Sequence, residues 1–238
     1  MLVRLWCTRA GSKPLTIKLG ADAMCDIINH EGGRRLCDVF ISSVPQLRHL
    51  HIQDVDERGL MQDAMDFINF SCAPAPLLTH MTLRIEKWDS FGPRHISFCR
   101  CPSLRVLDLG DNICPLYMEM RPQLKSLSFV FPDSSAFPPS LLGDTLGGLD
   151  NLEYLCVGIV ADEQDWTDES SGIFLPSLKH LKLVNVNMPS EDGLFWLLDH
   201  LTTPRLEAIT LFDFGPTACW NVYEKLVSRI FLRAVDSV

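Results

Sequence analysis

The chain writes one eight-residue phrase, PxLxxLxL, seven times, and this recurrence restricts the fold more tightly than any single residue does. The copies begin at Pro45, Pro76, Pro102, Pro122, Asp150, Pro176 and Pro204, spaced by 31, 26, 20, 28, 26 and 28 residues. Leu occupies the first apolar slot every time, from Leu47 to Leu206. With 15 prolines in 238 residues and 47% apolar content, chance would supply about 1.5 such windows. Six copies have Pro at the first position and the seventh has Asp.

Within each copy the second and third apolar slots alternate, as Leu107 and Leu109 do, so they point to one side of a short strand while Val106 and Asp108 point to the other. Burying three such side chains yields about 5 to 8 kcal/mol gross, most of it offset by ordering the backbone at about 1 to 2 kcal/mol per residue. No unit stands alone, so neighbours must stack and share a continuous core. The spacing lies in or near the leucine-rich-repeat range of roughly 20 to 29 residues. The expected fold is therefore an α/β leucine-rich-repeat solenoid, with a curved parallel sheet on the concave side and helices and irregular returns on the convex side.

The connectors differ in length and character. Met61, Ala64, Met65 and Ile68 follow helical spacing, as do Leu194, Leu197, Leu198 and Leu201 after a capping Ser190. A third helix is expected over 137–149, with Pro138 and Pro139 at its start and Gly147 and Gly148 near its end. The 20-residue step from Pro102 leaves room only for an extended or single-turn return through CPLYMEM. One domain is expected over 1–238: a capping repeat over 1–44 with PLTIKL as first strand, seven irregular repeats over 45–214, and a C-terminal capping helix over 215–238 on Tyr223, Leu226, Val227 and Ile230.

Composition narrows the function classes. A net charge of −9 works against nucleic acid and anionic membranes, since phosphate binding needs clustered Lys and Arg. The apolar runs fall far short of the roughly 18 residues that cross a bilayer. Nine cysteines without a CxxC pair imply reduced thiols, hence a cytoplasmic or nuclear setting. Cys99 and Cys101 form a single CxC without the second pair of a structural zinc site, so they are read as small buried apolar side chains and no metal or cofactor is expected. No phosphate-loop, dinucleotide, hydrolase, zinc-protease or kinase signature is present, so catalysis is not expected. A hydrolase-type site assembled without a local motif is the remaining enzyme alternative.

What remains is recognition of a protein through the outward slots of the strands. These are His49, His51, Gln53, His80, Thr82, Arg84, Asp108, Ser126, Ser128, Tyr154, His180 and Lys182. Tyr154 is the only large aromatic among them before Phe212, which makes it the leading hot-spot candidate. His49, His80 and His180 share one slot, but at about 5 Å per stacked strand only His49 and His80 can be neighbours. The acidic stretch over 161–172 reads as a polar loop, with Trp166 either tucked back onto the solenoid or offered to a partner.

The opening LWCTRAGSKPLTIKL, the segment DAMCDIINHEGGRRLCDVFI and phrases such as CPSLRVLDL and LPSLKHLKL resemble the region after the F-box in a large fungal family of F-box proteins with degenerate leucine-rich repeats. The resemblance covers nearly the whole chain. It implies repeats that hold a target for a ubiquitin ligase, with a Skp-type adaptor as second partner only if an F-box lies upstream of Leu5, because no LPxE-like opening occurs here. The expected function is a non-enzymatic protein-binding module; the alternative is an F-box receptor shortened at its start.

Overall fold

The computed structural model describes residues 9–20, 42–53, 74–84, 96–97, 100–110, 118–119, 123–131, 139–159, 172–185, 192–214, 220–221 and 223–224. Eight strands in one parallel sheet form its spine. In spatial order they are β1 (Leu15–Leu19), β2 (Leu47–Ile52), β3 (His80–Leu83), β5 (Val106–Asp108), β7 (Ser126–Phe131), β8 (Tyr154–Ile159), β10 (His180–Asn185) and β12 (Ala208–Phe212). Order in space follows order in sequence, which is the topology of a solenoid. The pair β4 (Ile96–Ser97) and β6 (Met118–Glu119), and the pair β9 (Ile173–Phe174) and β11 (Leu201–Thr202), make two short parallel sheets in the returns.

The repeated phrase maps onto this spine without slippage. Leu50, Met81, Leu107, Leu127, Leu155, Leu181 and Ile209 stand opposite one another, strand to strand. In the first six copies all eighteen apolar slots are at most 2% exposed and lie in one core cluster. The last copy differs: Leu206, Ile209 and Leu211 are only partly buried, because β12 has a strand on one side only. At the other end β1 repeats the pattern in miniature, with Ile17 beside Leu50 and Leu19 beside Ile52.

The proline has a local cause. The amide of the first Leu donates to the carbonyl three residues back, Leu78 to Ala75 at 3.2 Å, Leu104 to Cys101 at 3.1 Å and Leu178 to Leu175 at 3.3 Å. Pro76, Pro102 and Pro176 therefore take the second position of a β-turn, where a fixed φ near −65° is already correct and no amide is needed. Asp150 fills that place between Leu149 and Leu152. The residue before it is a fourth interior slot, held by the buried Val44, Ala75, Cys101, Leu149 and Leu175.

Two helices occupy returns, α1 (Pro139–Leu146) and α2 (Asp192–His200). They press Leu142 and Leu146, and Trp196, Leu197 and Leu198, into the shared core. Helix α1 starts at Pro139 and stops before Gly147–Gly148, where Gly148 takes φ +84°, a left-handed conformation that costs glycine nothing. Helix α2 is one residue shorter than the Leu periodicity predicts. Its last turn is closed by His200, whose Nδ1 donates to the Trp196 carbonyl at 2.8 Å, and Leu201 instead pairs with Ile173 as a buried strand residue. The CPLYMEM return is extended at Met118–Glu119. The helix expected at 61–68 lies outside the described residues, as do Ser190, Leu226, Val227 and Ile230. Of the C-terminal helix, Trp220 and Tyr223 are described and both are exposed. Among the described residues no helix is long and apolar enough to cross a membrane.

Candidate functional site

Because alternate residues of every strand enter the core, those between them form an open face whose side chains are in register across eight strands, about 34 Å at about 4.8 Å per step. One row runs Thr16, His49, His80, Val106, Ser126, Tyr154, His180, Ala208. The next runs Lys18, His51, Thr82, Asp108, Ser128, Cys156, Lys182, Thr210. Gln53 and Arg84 continue the third row, each joined to the preceding strand through its amide, at 2.9 Å to Leu19 and 2.8 Å to Ile52. All twelve strand positions singled out from the sequence thus fall on one face, and each is exposed or half-buried. Trp166 lies outside the described residues.

The first three strands concentrate the imidazoles. The rings of His49 and His80 meet edge to face with centroids 4.5 Å apart. Nδ1 of His49 lies 3.3 Å from the Thr16 hydroxyl, and Nδ1 of His80 lies 2.9 Å from the Thr79 hydroxyl, which itself donates to the Arg48 carbonyl at 3.1 Å. Thr79 has one proton, so both of its contacts are made at once only when His80 Nδ1 carries the hydrogen. The lone pair of neutral His80 is then on Nε2. Burial and, after it, the nearby His49 and Arg48 push the His80 pKa below its usual value; burial, Lys18 and His49 do the same to His51, with Asp108 opposing. His180 stands five strands from His49 and is no part of this group.

In the middle, Arg84 and Asp108 form an ion pair at 3.1 Å, and the other carboxylate oxygen accepts the Gly110 amide at 3.3 Å. Gly110 has φ +61°, and a Cβ there would sit 3.0 Å from Cγ of Arg84 and 3.2 Å from its Cα. The glycine lets the arginine lie flat beside the turn. Farther along, Tyr154 is flanked in register by Ser126 and His180. Burial, then the neighbouring Cys156 through its charge and after that its hydrogen bond, raises the Tyr154 pKa, so the phenol is neutral. Lys182 lies over the Phe212 ring at 4.8 Å, a cation–π contact at the C-terminal end of the face.

Three features of the face escaped the sequence. Cys156 occupies an outward slot yet is buried beside Tyr154. Thr16 and Lys18 extend the face onto β1. Finally, the residue after each first Leu forms a charged ladder in which Lys125 donates to Glu153 at 2.6 Å and Lys179 approaches it at 3.5 Å, holding the Glu153 carboxyl below the usual range, chiefly through Lys125. These partners are 28 and 26 residues apart, a separation at which only the repeat register shows the pairing.

Among the described residues no group of three or more His, Cys, Asp or Glu side chains is placed to hold a metal ion. The arrangement offers hydrogen-bond donors, imidazoles, one neutral phenol and paired charges on a broad surface, which suits contact with an extended or folded polypeptide. No protein-family model matches the chain, and no curated protein or solved structure does either.

Proposed function

We propose that the chain is a leucine-rich-repeat solenoid that works as a non-enzymatic protein-binding module, taking its partner on the open, concave face of the sheet. One observation carries this reading: a single face of eight parallel strands presents an in-register array of mainly polar side chains, with Tyr154 among them, while the shared core cluster lies on the other side. The inner strands bond their backbone groups to neighbours on both sides, so side chains make up the surface there and can be chosen for a partner. Tyr154 anchors it, being half-buried and flanked in register by Ser126 and His180, with its neutral phenol hydrogen-bonded to Cys156. The similarity to the target-holding repeats of F-box receptors supports a place as the recognition arm of a ubiquitin ligase, with a protein target and, through an upstream F-box, a Skp-type adaptor, in the cytoplasm or nucleus.

Affinity purification from the native cells tests the reading with three baits: the unaltered chain, Tyr154→Ala on the open face, and Asp150→Ala in an exposed turn away from it. A protein retained by the first and third baits and weakened about 30-fold on the second, the effect of losing about 2 kcal/mol at a hot spot, supports the open face as the binding surface. Equal retention by all three removes it. Co-enrichment of a Skp-type adaptor separates the ligase role from simple scaffolding.

A further inference from the structure

The open face is electrically lopsided. Its first three strands and the adjoining ladder carry Lys18, Arg48, His49, His51, His80 and Arg84, while none of the described residues facing outward there is Asp or Glu. The next strand supplies Arg105 and a single carboxylate, Asp108, and that carboxylate is already engaged by Arg84 and the Gly110 amide. Past the middle the signs alternate, with Glu153 between Lys125 and Lys179. A chain of net charge −9 thus keeps, among the described residues, a basic and imidazole-rich patch at one end of its sheet.

Resting on the reading of the open face as the binding surface, we propose that the β1–β3 end is a docking site for an acidic peptide segment of the partner, rich in Asp and Glu, whose binding is tightened by protonation of His51 and His80. Three observations converge on this occupant. Charge complementarity favours an anion, since among the described residues no carboxylate forms an ion pair with Lys18, Arg48 or the imidazoles, and the nearest, Asp108, is engaged by Arg84. The strands run parallel with outward side chains about 4.8 Å apart between strands and about 6.6 Å along them, a grid on which successive carboxylates of an extended peptide can meet successive cations. The tautomer fixed by Thr79 leaves His80 Nε2 as the atom that takes the proton and then donates to an incoming carboxylate. In the unliganded face burial pushes the pKa of His51 and of His80 down, and neighbouring cations add to it, Lys18 and His49 at His51 against an opposing Asp108, and His49, Arg48 and His51 at His80. A carboxylate arriving among them reverses that bias, so peptide binding and proton uptake strengthen one another.

The test titrates the full chain with a fluorescein-labelled peptide of eight glutamates, in EDTA and low salt, and follows anisotropy at pH 7.5 and 6.0. An octalysine peptide and a short single-stranded RNA serve as comparison probes. The site predicts that octaglutamate binds about tenfold more tightly at pH 6.0 than at pH 7.5, the size expected when binding takes up about 0.7 proton on average across this interval, and that added salt weakens it at both pH values. The triple variant His49→Gln, His51→Gln, His80→Gln should abolish the pH dependence. Lys18→Gln, a separate exposed position, should weaken binding at both pH values, which keeps the test decisive if the triple variant does not fold. A Kd independent of pH, retention of the pH effect in a folded triple variant, or tighter binding of the RNA or of octalysine overturns the proposal. Loss of octaglutamate binding alongside intact Tyr154-dependent capture overturns this inference alone; failure of both experiments overturns the open-face reading as well.

Discussion

Replacing Leu155 with Ala probes the solenoid core where it is most enclosed. Leu155 is fully buried and stands in register between Leu127 and Leu181, themselves buried. Truncation removes three carbons, about 2.4 kcal/mol of transfer free energy at about 0.8 kcal/mol each. A cavity cost adds to this, because both neighbouring strands are pinned by their ladders and cannot collapse into the space, giving about 3 to 4 kcal/mol in total. Leu211→Ala makes the same chemical change on the last strand, where Leu211 is only partly buried and pairs with Leu183 on one side alone, and should cost about 1 kcal/mol. Urea unfolding followed by far-ultraviolet circular dichroism reads both. With a slope of about 3 kcal/mol per molar urea, the Leu155 variant should shift the midpoint down by about 1 M and the Leu211 variant by about 0.3 M. Equal shifts at the two positions would refute a shared interior whose packing fades at the terminal strand.

Other outcomes follow from individual contacts. Gly158 faces outward between Val130 and Val184, and a Cβ on it would sit 2.7 Å from Cγ2 of Val130, so Gly158→Ala should cost about 1 to 3 kcal/mol in the same urea assay and Val130→Ala in the same chain should recover most of it. Gly148→Ala forces a side chain into φ +84° at the end of α1 and should lower the midpoint by the equivalent of about 1 kcal/mol. The folded chain holds His51 and His80 below their ordinary pKa, so just below pH 6.5 the unfolded chain binds more protons than the folded one, and stability present above that value is lost as pH falls through the folded pKa values. The urea midpoint should therefore decline from pH 7 towards pH 5.5, and His51→Gln with His80→Gln should flatten that decline.

Eighteen interior side chains were legible because a Leu, Met or Phe in a fixed frame has one reason to recur, and parallel pairing makes the frame visible as a period. The fourth interior slot was not, since Val44, Ala75, Cys101, Leu149 and Leu175 share a position but neither size nor chemistry; only Cys101 was read as buried, and for its thiol. Leu201 satisfied the helical spacing of α2 and also sat where β9 requires a partner; the unpaired backbone groups of Ile173 decide for the strand, and a linear pattern contains no record of them. The approach of His49 to His80 followed from their shared slot in successive repeats. The tautomer of His80 did not, because it depends on where the single proton of Thr79 goes.

The physical separation of core from face explains why the basic end is informative. Strand spacing and register are set by backbone bonds and by the interior leucines, so Lys18, His49, His51 and His80 contribute almost nothing to how the sheet is built. Where a charge on this face does serve the fold it is answered nearby, as Asp108 answers Arg84 and Glu153 answers Lys125 and Lys179. Packing alone would favour the same answer for the β1–β3 patch, since like charges repel and stability falls as His51 and His80 charge. Acidic residues outnumber basic ones 30 to 21 in the chain, so a shortage of carboxylates is not the cause. An anionic occupant removes the repulsion and makes the patch a favourable arrangement, which ties the destabilisation of the free chain at mildly acidic pH to the tighter binding of an acidic segment under the same conditions.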